Sequence, residues 1–391
     1  ERLLEYQYLG QLDGDIPGQS LQVRVVTMLR SVRAAELAGS SAELSRAYAF
    51  LANLFAICRR PTRAAYYAAQ GRAMALEVGD RHALFRALRI GHLHGFNSGQ
   101  WQETAAAFEQ AITLAGELRL VLERLLCEHS LAEVRLNEGR LAEALERLAD
   151  IRSRAQREDA LVPQLWATAS MGTAAFRLGR LAEAISYAEE SLALADRRDT
   201  RDQNCLFQAH GVLASARLRT EGIDRARRHV DQAITAAEAG ARLSLTAQSG
   251  FLGVAEVLFA IWERGEQDAN DAAVRLQRWL RTLRRMAFHR PIFKPWDLVL
   301  RAWWSARRGR RRLATGRLRE AIRLADRMNL GYESAFARVE LARLIRRDDP
   351  SRRQVLDQAC LILENIGSAE LLRDARAMLG ATRPSPGRDN A

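Results

Sequence analysis

Residue types that do chemistry are sparse in this 391-residue chain, and their spacing suits none of the usual reactions. A phosphate-binding loop needs a Gly-rich turn followed by Lys and Ser or Thr, so that backbone N–H groups and an ammonium cradle the phosphates. The sole lysine, Lys294, stands between Phe293 and Pro295, and no such loop exists. No dinucleotide-type Gly-x-Gly-x-x-Gly follows a strand-like run. No pair of carboxylates stands in a sheet context that would hold catalytic metal ions, and nothing resembles a nucleophile elbow. His92 and His94 form a His-x-His, but on a helix residues two apart face different directions and make poor co-ligands. Cys58, Cys127, Cys205 and Cys360 lie far apart with no Cys-x-x-Cys pairing. They read as small core residues of a protein in a reducing cytoplasm. The expectation is a chain without catalytic, metal-binding or cofactor-binding residues of its own.

One segment has chemistry that could serve binding. The net charge of +12 is local, because Arg275 to Arg323 contains fifteen arginines and one lysine against Asp297 and Glu320. Within it, Arg301, Arg307, Arg308, Arg310, Arg311 and Arg312 flank Trp303 and Trp304. Guanidinium forks suit phosphates and carboxylates, and aromatic faces can stack on bases. The same residues also suit a plainer reading, a core tryptophan pair beside a solvated basic turn at Gly309. An acidic protein surface is the expected electrostatic ligand ahead of nucleic acid, which is not favoured, or an anionic membrane.

The elements that position these residues are helical. Ala, Leu, Arg and Glu dominate, all good helix formers, and only eight prolines interrupt 391 residues. Gly99, Gly139 and Gly179 are forty residues apart, each between two amphipathic stretches: GQWQETAAAFEQAI, GRLAEALERLADI and GRLAEAISYAEESL. Five positions after each Gly comes a small residue, Thr104, Ala144 or Ala184. Four and seven positions beyond that come apolar or small residues, Phe108 and Ala111 in the first copy, Ala188 and Ser191 in the third. Glycine permits a positive φ at the turn, and small residues let two backbones approach. Fixed-period self-similarity of this kind marks stacked helix pairs, none of which can bury its apolar stripe alone.

The frame predicts helix pairs near 41–57/61–78, 82–97/100–118, 121–137/140–157, 162–178/180–196 and 203–219/223–239. Later pairs fall near 246–264/268–287, 296–308/310–328 and 332–346/352–365, with a last helix at 368–379. The register slips by three residues at Thr220-Glu221-Gly222. Pro291 and Pro295, four apart, interrupt the pattern because they cannot both lie inside a helix. The most apolar stretch, Phe251 to Trp262, is twelve residues long and contains Glu256, so it reads as a buried core helix and not a membrane span. The expected organisation is an N-terminal helical cap or linker at 1–40, an array at 41–290, continuing repeats at 291–380 and a disordered tail at 381–391. A chain that begins at Glu1 without an initiator Met reads as the carboxy-terminal part of something longer.

The pattern resembles the tetratricopeptide repeat: Gly172 and Gly179 stand seven apart like that motif's paired glycines, and Ala184 takes its small-residue position. It departs from the motif at Ala175, where an aromatic is usual, in the missing terminal Pro and in a repeat about six residues longer. The expected fold is all-α, an α–α superhelix built as a tetratricopeptide-like solenoid. Specific phrases are similar to one family of bacterial signalling proteins. They include Ala35-Glu-Leu-Ala-Gly-Ser-Ser-Ala-Glu-Leu44, Arg46-Ala-Tyr48, Asn97-Ser-Gly-Gln-Trp101, Met328-Asn-Leu-Gly-Tyr-Glu333, Ala337-Arg-Val-Glu-Leu341 and Ile366-Gly-Ser-Ala-Glu370. That family joins a class III adenylate/guanylate cyclase domain, or a kinase domain, to an AAA-type ATPase followed by a helical repeat region. The resemblance implies a non-catalytic region that binds a protein partner or the upstream domains of its own polypeptide. The repeat region of a transcription regulator, and a stand-alone adaptor with a nucleic-acid-binding basic patch, remain as alternatives.

Overall fold

The computed structural model describes residues 21–91, 93–197, 202–240, 248–265 and 268–380, and nearly all of them are helical, with no strand among them. The chain divides into two compact units, residues 1–131 and 132–391. The first contains α1 (Leu21–Ala38), α2 (Ala42–Ile57), α3 (Pro61–Val78), α4 (Arg81–Gly91), α5 (Leu93–Ser98) and α6 (Trp101–Glu117), and the boundary falls within α7 (Val121–Asn137). The second contains α8 (Leu141–Arg157), α9 (Leu161–Leu178), α10 (Leu181–Arg197), α11 (Gln203–Thr220), α12 (Ile223–Glu238) and α13 (Gln248–Arg264). It continues with α14 (Ala269–His289), α15 (Lys294–Arg307), α16 (Arg311–Arg327), α17 (Gly331–Leu344), α18 (Pro350–Ile366) and α19 (Ala369–Gly380). The fold is the all-α helical-repeat superhelix that the forty-residue period predicts. Of the expected cap at 1–40, residues 1–20 lie outside the described residues, as does the expected tail at 381–391.

Two kinds of turn build the array, and both close the same way. At Gly139, Gly179 and Gly309 the backbone is left-handed, with φ of 85°, 81° and 73°. The residue after each glycine donates its N–H back over five residues, as in Arg180 to the Ala175 carbonyl at 2.9 Å. The alternate turns use residues with side chains: Arg119 (φ 57°), Asp159 (46°) and Asn329 (51°). They close through Leu120 to Ala115, Ala160 to Ala155 and Leu330 to Ala325, at 2.8–2.9 Å. Sequence reading found the glycine series only. Arg119 and Asp159 are also forty residues apart, but Arg does not advertise a left-handed conformation and Asp merely tolerates it, so the signal is the apolar residue that follows each.

Pro291 and Pro295 do not both lie outside helices. Pro291 opens a 3-10 turn at Pro291–Phe293, and Pro295 sits in the first turn of α15, where its missing N–H costs no hydrogen bond. Helix α15 therefore starts two residues earlier than the prolines suggest. Cys127, Cys205 and Cys360 are buried as expected, whereas Cys58 is exposed because it caps the end of α2 in a turn.

In the second unit the first and second helices of each pair differ in kind. Helices α12, α14 and α16 bury one stripe, such as Ala314, Leu318, Ala321 and Ala325 of α16, and leave the rest to solvent. Helices α9, α11, α13 and α17 are buried on all sides over most of their length. Helices α11 and α13 cross through glycines. A Cβ on Gly211 would stand 2.3 Å from the Gly250 Cα, and one on Gly253 would stand 2.1 Å from the Gly211 carbonyl oxygen. Inner helices this close enclose a polar centre and not a groove. There Arg177 of α9 pairs with Glu333 of α17 at 2.7 Å, across 156 positions of sequence, and also donates to Gln248 of α13 at 2.9 Å. Trp296 donates to the same Glu333 oxygen at 3.3 Å, and the Arg177 guanidinium stands over the Tyr332 ring.

The carboxy-terminal helices complete this closure. Ser368 donates its hydroxyl to the Arg177 carbonyl at 2.6 Å. A Cβ on Gly179 would meet the Glu370 backbone nitrogen at 2.6 Å, and one on Gly139 would meet Ile366 at 2.8 Å. Those two turns need glycine twice over, for φ and for room. Gly309 has nothing within 4 Å of a built Cβ and needs it only for φ.

Two stability predictions follow from the crossing and the ion pair. Gly211→Ala should cost about 3 kcal/mol or more through forced backbone separation, and Gly309→Ala only about 1 kcal/mol, the left-handed penalty; urea denaturation of the two variants compares them. Arg177→Met should cost about 3–5 kcal/mol by stranding the Glu333 carboxylate without its guanidinium. Adding Glu333→Gln should recover at least half of that loss, and a double variant no more stable than the single would show that the pair's charge is not what holds the centre.

Candidate functional site

Two clefts in the second unit gather the candidate residues. The first opens where α11, α13, α15 and α17 end, with a volume of about 420 Å³. Four helix carboxyl ends supply partial negative charge there. Glu256, Glu263 and Glu340 add carboxylates, and Arg219, Arg307 and Arg343 answer them. Arg219 grips Glu256 with both arms, at 2.9 and 2.7 Å, while Ser215 donates to the same carboxylate at 2.5 Å. Burial opposes the Arg219 charge, but the Glu256 carboxylate outweighs it and raises the guanidinium's pKa. Glu340 accepts from the Trp303 indole N–H at 2.6 Å and lies 3.3 Å from Arg343. Burial nonetheless pushes the Glu340 carboxyl above its ordinary value. Phe259 meets Trp303 edge-on at 5.4 Å and completes an apolar wall. The arrangement offers charge-paired donors and acceptors beside an aromatic surface, which is chemistry for gripping a polar chain.

The second cleft, of about 230 Å³, lies between α14, α15 and α16. Gln277, Leu280, Arg281 and Arg284 reach it from α14, spaced i, i+3, i+4 and i+7. Arg301, Trp304, Ser305 and Arg308 reach it from α15 with the same spacing. Arg310 and Arg317 reach it from α16 and its amino end. Arg317 donates to the Arg301 carbonyl at 2.8 Å and to the Ser305 hydroxyl. Burial, then the guanidinium of Arg301, hold its pKa below the usual arginine value; Arg284 and Arg310 push the same way and Asp297 pulls against them.

The structure thus divides the arginines that sequence singled out. Arg301, Arg308 and Arg310 line the basic cleft, Arg307 lines the other cleft, Arg311 donates to the Leu344 carbonyl at the end of α17, and Arg312 is exposed. Sequence reasoning passed over Arg281, Arg284 and Arg317. Their signal was the helical spacing, three between Arg281 and Arg284 and seven between Arg310 and Arg317. Trp303 and Trp304, adjacent in sequence, part company: Trp303 turns to the inner cleft, and Trp304 packs on Trp262 at 4.7 Å with Arg308 over its ring. The repeat-packing residues Phe108, Ala144 and Ala184 are fully buried. Gly99 takes the same left-handed turn as Gly139, at φ 76°. His92 and the His94 side chain lie outside the described residues. Among the described residues no group of three His, Cys, Asp or Glu could hold a metal ion, and no helix is long and apolar enough to cross a membrane.

No family model and no curated protein matches the chain. Solved structures do. A Rap protein complexed with competence and sporulation factor aligns over 98% of this chain and 99% of its own, at TM-score 0.56 and 9% identity. The Rap conjugation gene regulator of plasmid pLS20, in complex with a Phr peptide, aligns over 95% and 96%, at TM-score 0.60 and 10% identity. A signal transduction ATPase with a tetratricopeptide repeat sensor from Pyrococcus horikoshii aligns over 98% of this chain and 59% of its own, at TM-score 0.44, too low to establish a common fold. At these identities the likeness to the two Rap structures is one of architecture: this chain has a tetratricopeptide-like helical-repeat fold.

Proposed function

We propose that this chain is a non-catalytic, regulatory repeat domain that binds an extended peptide or protein segment in the cleft at the carboxyl ends of α11, α13, α15 and α17. The observation that carries this reading is that cleft itself. It is open and lined by aromatic and charged side chains, in a unit whose interior is otherwise closely packed. Four converging carboxyl ends and three glutamates suit a segment's backbone N–H groups and cationic side chains, and the three arginines suit its carbonyls and carboxylates. That two proteins of the same fold were solved with a bound peptide or factor supports the choice of ligand class.

The ordered phrases from Ala35 to Glu370 support a finer reading, in which the chain is the carboxy-terminal part of a cyclase–ATPase signalling protein and its partner is an upstream domain of the same polypeptide. Binding that differs between two states of the upstream domains would then bias their output.

Selection of peptides from a random library against the whole chain, followed by fluorescence polarisation, tests the first reading. A selected peptide should lose affinity at least about tenfold on Glu263→Arg with Arg307→Glu, which invert charge at the cleft rim. Peptides that bind equally well to that variant would remove the cleft from the mechanism. Intact mass of the native polypeptide, with the reading frame read upstream of Glu1, tests the second. A frame continuing into a Gly-rich Lys-Ser/Thr loop and a cyclase-like domain is expected, and a start codon just before Glu1 would refute it.

A further inference from the structure

In the basic cleft charge of one sign is gathered and left largely uncompensated. Other half-buried arginines of that unit have carboxylates, Arg219 with Glu256, Arg338 with Asp326 and Arg152 with Glu190, while buried Arg352 donates to the Ala342 and Met378 carbonyls. Around this cleft Arg281, Arg284, Arg308 and Arg310 have no carboxylate of the described residues within 4.0 Å, and Arg317 spends its hydrogen bonds on oxygens of α15. Among the described residues the acid within ion-pair distance of the cluster is Asp297, fully buried, 3.1 Å from Lys294 and 3.7 Å from Arg301, so one carboxylate faces six guanidiniums and an ammonium. Six guanidiniums on three helices therefore converge on about 230 Å³.

The helical spacing makes the convergence deliberate in geometry. The i, i+3, i+4, i+7 series on α14 and α15 each point one face inward, and Arg310 and Arg317 do the same from the third side. Helix α16 also begins here. Its N-cap is Arg310, which has no side-chain acceptor to offer the first-turn N–H groups, and Leu313 of that turn lines the cleft. A helix amino end with free N–H groups adds to the same positive field.

The shape of the site chooses among anions. Trp304 is the aromatic in the cleft, and its ring is packed by Trp262 at 4.7 Å and by the Arg308 guanidinium at 5.6 Å. With the ring so covered it does not serve as a platform for a nucleobase, which is what single-stranded nucleic acid needs. An acidic peptide spreads its charge along an extended backbone at one carboxylate per side chain. The cleft instead concentrates forked donors from three directions into a volume suited to a compact ion of high charge density. We propose that the cleft between α14, α15 and α16 is a binding site for a compact oligophosphate, held by Arg281, Arg284, Arg301, Arg308, Arg310 and Arg317.

Calorimetric titration of the whole chain with tripolyphosphate at about 0.15 M salt, where surface fields are screened beyond ~8 Å, is the test. Saturable one-site binding is expected. Arg281→Gln, Arg284→Gln and Arg310→Gln together should raise Kd at least about tenfold. These three side chains are exposed and unpaired with acids, so the variant should fold, and the single Arg284→Gln variant repeats the test should the triple be unstable. The control removes the same charge from another face of α16: Arg312→Gln, Arg319→Gln and Arg323→Gln should leave Kd within about twofold, because these side chains lie outside the cleft. Equal losses in the two triples would mean a diffuse field and overturn the site. So would absence of saturable binding. A glutamate-rich peptide or a single-stranded oligonucleotide that competes at lower concentration than tripolyphosphate would overturn the ligand class in favour of a protein or a nucleic acid.

Discussion

The ion pair between Arg177 and Glu333 is the contact on which the second unit turns. A solenoid whose repeats touch only their neighbours has no use for a bond between residues 156 positions apart. Here the inner helices wind closely enough for α9 to meet α17, and the meeting is polar. A charge taken from water is retained only where a partner and further contacts replace the solvent; Gln248 and Trp296 supply hydrogen bonds to the pair, and the Tyr332 ring lies against the guanidinium. The glycines at the crossing of α11 and α13 are the other side of the same constraint. The near-contact of backbones there keeps α13, which carries Gln248, close to α11.

Tight winding decides where ligands can act. A loosely wound array would offer its concave wall along the whole length. In this unit the wall is spent on packing, and the cleft at the carboxyl ends of α11, α13, α15 and α17 is what remains of it. The open clefts are thereby displaced to an end of the inner helices and to the faces of α14, α15 and α16, where arginine takes the place that alanine and leucine hold inside. The two clefts also differ in their electrostatics. In the first, charges are matched within the protein, so a ligand must exchange one set of partners for another. In the second, charges of one sign wait for a counter-ion.

Much of the architecture was legible in the sequence because it rests on local rules. Gly139 and Gly179 mark their turns, the stripe at Ala184, Ala188 and Ser191 marks the second helix, and the helix limits fall within a few residues of the observed ones. What escaped was non-local or chemically silent. Arg119 takes a left-handed conformation that its type does not announce, and Asp159 and Asn329, types that tolerate it, follow no repeating residue that would mark them. The second reason for glycine at 179, room for Glu370 far along the chain, shows only in three dimensions. The basic segment was visible as charge, but a run of arginines read along the chain places Arg307, Arg308 and Arg310 together, whereas helical geometry sends Arg307 to one cleft and the other two to the second. Arg281 and Arg284, upstream on α14, belong with them only once α14 packs beside α15.

The turn from Ile366 to Glu370 has a consequence for how the unit comes apart. It seats on Gly139, on Gly179 and, through Glu370, on Arg219 at 3.4 Å. In an open ladder of repeats the terminal rung is held on one side only and frays first. Here the turn between α18 and α19 is fastened to the early turns at Gly139 and Gly179, so separating these helices from their neighbours must also break contacts with residues nearly two hundred positions earlier in the chain.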